Sequence, residues 1–125
     1  MKTVIQTQDA PAAIGPYSQA VRVGDTVYLS GQIGLDPETM QLADGLEAQA
    51  HRVFRNLAAV AKGAGLSLEQ AARMTVYLID LDHFPQVNEI QTQYMRAPYP
   101  ARATVGVSKL PRGALVEIDL VLHAG

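Results

Sequence analysis

Two groups near the C-terminal end of the chain could do chemistry together. In YPARATVGVSKL, Tyr99 to Leu110, Arg102 stands at the start of a segment that otherwise alternates as a β-strand. Glu117 and Asp119 follow in ALVEIDLVLHA, two residues apart and so on one strand face. A guanidinium grips a carboxylate with two parallel hydrogen bonds, which a lysine ammonium cannot copy. A carboxylate in a partly desolvated cleft can take a proton from water and pass it to a leaving group. If the ligand is a small carboxylate, Arg102 is the residue type that would hold it, and Asp119 is assigned no role. On strand pattern alone two plainer readings stay open: Arg102 as one half of an ion pair with Glu117 or a neighbouring subunit, and Glu117 as an exposed strand carboxylate.

Other chemistries lack their residues. The absence of cysteine excludes disulfides, thiolate catalysis and cysteine-bound zinc. His51, His83 and His123 fall on separate elements without ligand spacing, so no metal site is expected. No phosphate loop, nucleophile elbow or dinucleotide fingerprint occurs, and no cofactor is implied. A net charge of -2 and a pI of about 5.8 give no electrostatic reason to bind nucleic acid or an anionic membrane. With 48% hydrophobic and 18% charged residues, the composition is that of one globular domain over residues 1–125. MKTVIQTQDAPAAIG lacks the apolar run of a signal peptide and no later stretch reaches transmembrane length, so a cytoplasmic protein is expected.

The elements that must position these residues follow from periodicity. A short N-terminal strand precedes a loop at Asp9–Pro16, where Pro11 and Pro16 interrupt strand pairing. YSQAVRVGDTVYLSGQIG alternates on both sides of Gly24-Asp25, which suits a tight hairpin. In its second arm Val27, Leu29 and Ile33 point one way, and Thr26, Tyr28, Ser30 and Gln32 the other. Leu46, Ala50, Val53, Phe54, Leu57, Ala61 and Ala64 recur at helical spacing, leaving Glu47, Arg52, Arg55, Asn56 and Lys62 for solvent. Ser67–Gln70 has capping-box spacing. RMTVYLIDL reads as a strand, and DHFPQVNEIQTQYM as a second helix with Phe84, Val87, Ile90, Gln91 and Tyr94 buried. Two strands close the chain, joined by a turn at Pro111–Gly113. The order ββαβαββ, after the short first strand, predicts an α+β layer with two helices on one sheet face.

The period of two then assigns faces. Val116, Ile118, Leu120 and Leu122 meet the helices, with Leu115, Glu117, Asp119, Val121 and His123 on the other side. In the preceding strand Ala103, Val105 and Val107 are expected to face the core, and Arg102, Thr104, Gly106 and Ser108 away from it. If the last two strands form a hairpin, Arg102 and Glu117 become same-face neighbours. The outer face mixes Tyr28, Tyr77, Ile79, Leu115 and Val121 with polar groups, a pattern that predicts a contact surface between subunits.

Read end to end, APAAIGPYSQAV, LSGQIGLDPETM, QAHRVFRNLAAVAKGAG, TVYLIDLDHFPQVNEI and PARATVGVSKLP with VEID after it resemble the reactive-intermediate deaminase family, RidA or YjgF. The resemblance implies a chorismate-mutase-like fold and a homotrimer with clefts between subunits. It implies hydrolysis of 2-imino or enamine acids, such as 2-iminopropanoate and 2-iminobutanoate, to 2-oxo acids and ammonia. The partners it implies are such a small acid and the pyridoxal-phosphate dehydratases that release it. By the same resemblance Arg102 holds the substrate carboxylate and Glu117 orients or activates water. Ser30 and Gly31 line the cleft, and Tyr17 and Asn88 close it from a neighbouring subunit. Thr104 departs from the many relatives that carry cysteine there, which keeps a small hydroxyl group and removes thiol chemistry. Two other readings remain: a non-catalytic binder of 2-oxo acids using the same cleft, and a holdase-like or ribonuclease role that the family also suggests.

Overall fold

A computed structural model describes residues 1–125. Six strands form one sheet: β1 (Lys2–Ile5), β2 (Ala20–Val23), β3 (Thr26–Gln32), β4 (Ala71–Leu78), β5 (Ala101–Gly106) and β6 (Val116–His123). Their order across the sheet is β1-β2-β3-β6-β4-β5. Helices α1 (Leu46–Gly63) and α2 (Phe84–Gln91) pack on one face. No helix is long and apolar enough to cross a membrane.

Local signals account for most of these elements. Val23 pairs with Thr26 across the two-residue turn, with Gly24 at a φ of 60° that a side chain would resist. Ser67 and Gln70 form the reciprocal capping box of a short 3-10 turn leading into β4. Pro85 sits in the first turn of α2, where its missing N–H is harmless. The apolar stripe of α1 seats Val53, Phe54 and Leu57 on Met74, Ile118, Leu120 and the rest of the main core. The Phe54 ring stacks on Tyr94, centroids 5.2 Å apart.

Three expectations are corrected by long-range pairing. First, the last two strands do not form a hairpin. β6 inserts antiparallel between β3 and β4, while β5 runs parallel to β4 at the sheet edge. The alternating apolar row of β6 is fully buried, so this strand takes the centre. The shorter β5 takes the edge, where one side of its ladder stays open.

Second, β5 faces the other way. Arg102 lies beside Met74 and Thr104 beside Val76, both on the helix-covered face. Ala103 and Val105 share the outer face with Thr75 and Tyr77, and Val105 is 40% exposed. Glu117 pairs with Tyr77 and belongs to that outer face. Arg102 and Glu117 are thus on opposite faces of strands separated by β4. The alternation of β5 is real, but its apolar row is directed at the uncovered face.

Third, two polar side chains expected outside are inside. The β3–β6 register shifts between Leu29 and Gln32, a bulge that turns Gln32 onto the core side opposite Ile118. Asn56 is fully buried; its Nδ2 donates to Ile33 O at 3.3 Å and Leu35 O at 2.9 Å, while its Oδ1 accepts from Arg52 Nε. It fastens the chain leaving β3 to α1. Asn56→Ala strips the donor from two buried carbonyls and is expected to cost about 2 kcal/mol. Urea unfolding reads this as a lower midpoint at unchanged slope; an unchanged midpoint contradicts the fastening role.

The outer sheet face carries no helix. Val4, Val23, Tyr28 and Val105 on it are all at least 40% exposed. So much apolar surface in one uncovered sheet face is the feature of a contact surface.

Candidate functional site

Glu117 leaves β6 on the outer face and lies across Gly31, in the β3 bulge. A Cβ at Gly31 would approach the Glu117 Cδ to 2.9 Å and overlap its carboxylate, so only glycine leaves the acid where it is. Ser30 stays beside it because its N–H donates to Gln19 O at 2.9 Å and its hydroxyl to Ser18 O at 2.5 Å. These bonds tie the bulge to the loop that presents Tyr17. Tyr17, Ser30, Gly31, Arg112 and Glu117 contribute to the wall of one cavity of about 580 Å³.

Burial pushes the Glu117 carboxyl above its ordinary value, and the nearby Asp119 charge adds to the effect. Asp119 is held in turn, accepting a 2.9 Å hydrogen bond from the Tyr77 hydroxyl. That bond, followed by burial, raises the phenol. Glu117 binds its proton more tightly folded than unfolded, so stability falls as pH rises from the ordinary 4.5 through the raised folded-state value. Glu117→Gln removes this penalty. Its Tm should exceed that of the wild type at about pH 8, with the gap narrowing towards about pH 4. Thermal melts across that range test the sign; a gap that widens on acidification rules it out.

Arg102 occupies a different setting. Its Nη1 donates to Asn88 Oδ1 at 2.5 Å and Gln91 Oε1 at 2.8 Å, and its Cζ lies 5.1 Å from the Phe84 ring centroid. Asn88 and Gln91 are one helical turn apart on α2, so both amides reach the same cation. No carboxylate lies within ion-pair distance of Arg102, which sets aside the structural pair with Glu117 within one chain. The guanidinium is oriented by neutral oxygens and by an aromatic face, and its charge is not neutralised. Asn88, Gln91, Thr92, Tyr99, Pro100 and Arg102 line a second cavity of about 340 Å³. Beside Arg102 on the same face, the Thr104 hydroxyl is buried without a partner.

The residues singled out in the sequence therefore fall into two groups with no shared wall. Glu117, Tyr17, Ser30 and Gly31 form one, and Arg102, Asn88 and Thr104 the other. The expected division, with Tyr17 and Asn88 together opposite Arg102 and Glu117, is not the one seen within the protomer. Sequence reasoning missed Gln91 and Phe84 as supports of Arg102, although the three-residue spacing of Asn88 and Gln91 was available. It also missed Arg112, whose turn gave no sign of the cavity it would reach.

Comparison with known proteins places the chain. A family model described as endoribonuclease L-PSP matches residues 7–124. The 2-iminobutanoate/2-iminopropanoate deaminase of Mus musculus is 45% identical over 126 residues, spanning 100% of this chain and 93% of its own. The crystal structure of RidA from an Antarctic Psychrobacter superposes with a TM-score of 0.95 at 51% identity, covering 97% of this chain and 98% of that one. E. coli TdcF, solved with bound serine, gives a TM-score of 0.94 at 37% identity over 98% and 99% of the two chains. Matched along nearly its whole length in both sequence and fold, the chain belongs to the RidA/YjgF family.

Proposed function

We propose that this protein hydrolyses short 2-imino and enamine acids to 2-oxo acids and ammonia, in a site completed when two copies meet. The observation that carries the reading is the state of Arg102: a half-buried cation, aimed by two amide oxygens and left without an anion. Orienting a guanidinium without neutralising it prepares it for an anionic ligand. The deaminase named above and the serine held by TdcF support a small α-carboxylate as that ligand.

In this reading the substrate carboxylate docks on Arg102 of one copy, with Asn88 holding the fork and Thr104 shaping the wall. The neighbouring copy supplies Glu117, Tyr17, Ser30 and Gly31. Glu117 takes a proton from water as its oxygen bonds to C2, and returns it to nitrogen as the C=N electron pair moves there. The resulting carbinolamine collapses when Glu117 takes its hydroxyl proton and passes it to the departing nitrogen, so that the C–N bond breaks and ammonia and the 2-oxo acid are released. A carboxyl whose proton affinity is raised towards the working range suits both proton transfers. The apolar outer sheet face supports assembly through that surface, and a homotrimer is the closed arrangement that the family likeness favours. The source of substrate would be a pyridoxal-phosphate-dependent dehydratase in the same cytoplasm.

Threonine dehydratase with threonine generates 2-iminobutanoate in situ, and semicarbazide traps what remains. Adding the protein should lower the trapped imine and speed 2-oxobutanoate formation. No acceleration over buffer, together with saturable 2-oxobutanoate binding, would replace the enzyme by the non-catalytic binder.

A further inference from the structure

The cavity that holds Glu117 contains a cation for which the small-substrate reading has no use. Arg112 lies in the turn before β6 and lines the same 580 Å³ cavity. Its Nη2 donates to Met40 O at 3.0 Å, its Nε and Nη1 have no partner in the chain, and no carboxylate is within ion-pair distance. Both ends of this tie adopt the left-handed backbone region, Arg112 at φ 60° and Met40 at φ 58°. A non-glycine residue is held there only where its surroundings fix it. The tether therefore holds the exposed Arg112 at the wall of the cavity without spending its charge. Ile33, Leu35 and Met40 give the wall an apolar stretch. A four-carbon imino acid, with an ethyl group for a side chain, offers nothing to the cation.

We infer that Arg112 is a specificity-determining residue that receives a second carboxylate, so that the site takes imino acids of dicarboxylic amino acids as well as short aliphatic ones. The inference rests on the deaminase reading. It assigns the α-carboxylate to Arg102 of one copy and the side-chain carboxylate to Arg112 of the other, with C2 beside Glu117 between them. Methylene groups of the side chain lie along Ile33 and Met40. Two separated cations, each free of a protein anion, suit a ligand with two separated negative charges. Glu117 disfavours an anion close to itself, which keeps the side-chain carboxylate beside Arg112.

The test uses imines made in situ by flavin oxidases: 2-iminosuccinate and 2-iminoglutarate from D-aspartate and D-glutamate, and 2-iminobutanoate from D-2-aminobutyrate, each followed by semicarbazide trapping. The wild type should accelerate all three. Arg112→Gln should lower kcat/KM for the dicarboxylic imines relative to 2-iminobutanoate by about tenfold, and Arg112→Lys should restore part of that ratio. Titration calorimetry gives a readout independent of turnover: 2-oxoglutarate should lose about tenfold more affinity than 2-oxobutanoate in Arg112→Gln. If 2-iminobutanoate is hydrolysed but the dicarboxylic imines are not, or if Arg112→Gln leaves both ratios unchanged, the inference falls while the deaminase reading stands. If none of the imines is accelerated, both fall.

Discussion

Arg102→Lys should lower kcat/KM for 2-iminobutanoate about 100-fold, and Arg102→Ala about 1,000-fold, with Tm reduced only slightly in either. The asymmetry between activity and stability follows from where the side chain sits. Arg102 is on an edge strand and half-buried, and its amide partners Asn88 and Gln91 line the 340 Å³ cavity beside it. Losing it leaves Asn88 Oδ1 and Gln91 Oε1 to water, a change of about 1 kcal/mol. Its role towards a ligand has no such substitute. Lysine keeps the charge but cannot answer two amide oxygens and still present a planar pair of donors to a carboxylate. A loss of about 3 kcal/mol in transition-state binding, the value of two charge-assisted hydrogen bonds, gives the 100-fold figure. Steady-state kinetics with dehydratase-generated imine, beside thermal melts of the same samples, separates the two effects. Equal activity of lysine and arginine at this position would mean that only a diffuse positive charge is needed, and the docking geometry would be lost.

The separation of Arg102 from Glu117 bears directly on the proposed reaction. Had both stood on one face of adjacent strands, they would have formed an ion pair within each chain. The cation would then be neutralised, and the acid would be held as a carboxylate with a lowered proton affinity. Opposite faces prevent that. Glu117 is left among Gly31, Tyr77 and Asp119, where burial and a like charge raise its proton affinity. Arg102 is left with neutral donors of electron density. Each group thereby keeps the electrostatic state that the proposed reaction needs.

What the sequence made legible was local. The hairpin at Gly24-Asp25, the stripe of α1 and the capping box at Ser67 each arise from residues within a few positions of one another. The errors fall where distant pairing decides. Whether Arg102 faces the helices depends on β5 choosing β4 as a parallel neighbour, and an alternating strand reads the same from either side. Gln32 comes inside because the bulge inserts one residue opposite β6, which alternation within β3 cannot register. Asn56 lies on the polar side of the helical stripe, yet carbonyl groups 21 and 23 residues earlier give it a buried place. The chemistry-bearing residue types could be named from the sequence, whereas their division into two groups required the sheet order.

That division predicts complementation between two inactive proteins. Arg102→Ala lacks only the cationic half and Glu117→Gln only the acidic half, so a site drawing each half from a different copy can be rebuilt in mixed oligomers. A site is intact when its Arg102 comes from the Glu117→Gln chain and its Glu117 from the Arg102→Ala chain. With equal amounts and random assembly each condition holds half the time, so about a quarter of the sites, and about a quarter of wild-type activity, should return. This fraction is the same for any ring in which every site lies between two copies. Separately purified variants mixed without exchange should stay inactive, whereas co-expression or co-refolding from denaturant should restore activity in proportion to the product of the two mole fractions. Within one protomer Glu117 and Arg102 lie on opposite faces, on strands separated by β4. Co-refolded mixtures with no more activity than the sum of the separate variants, in oligomers shown by mass to be mixed, would overturn the shared site.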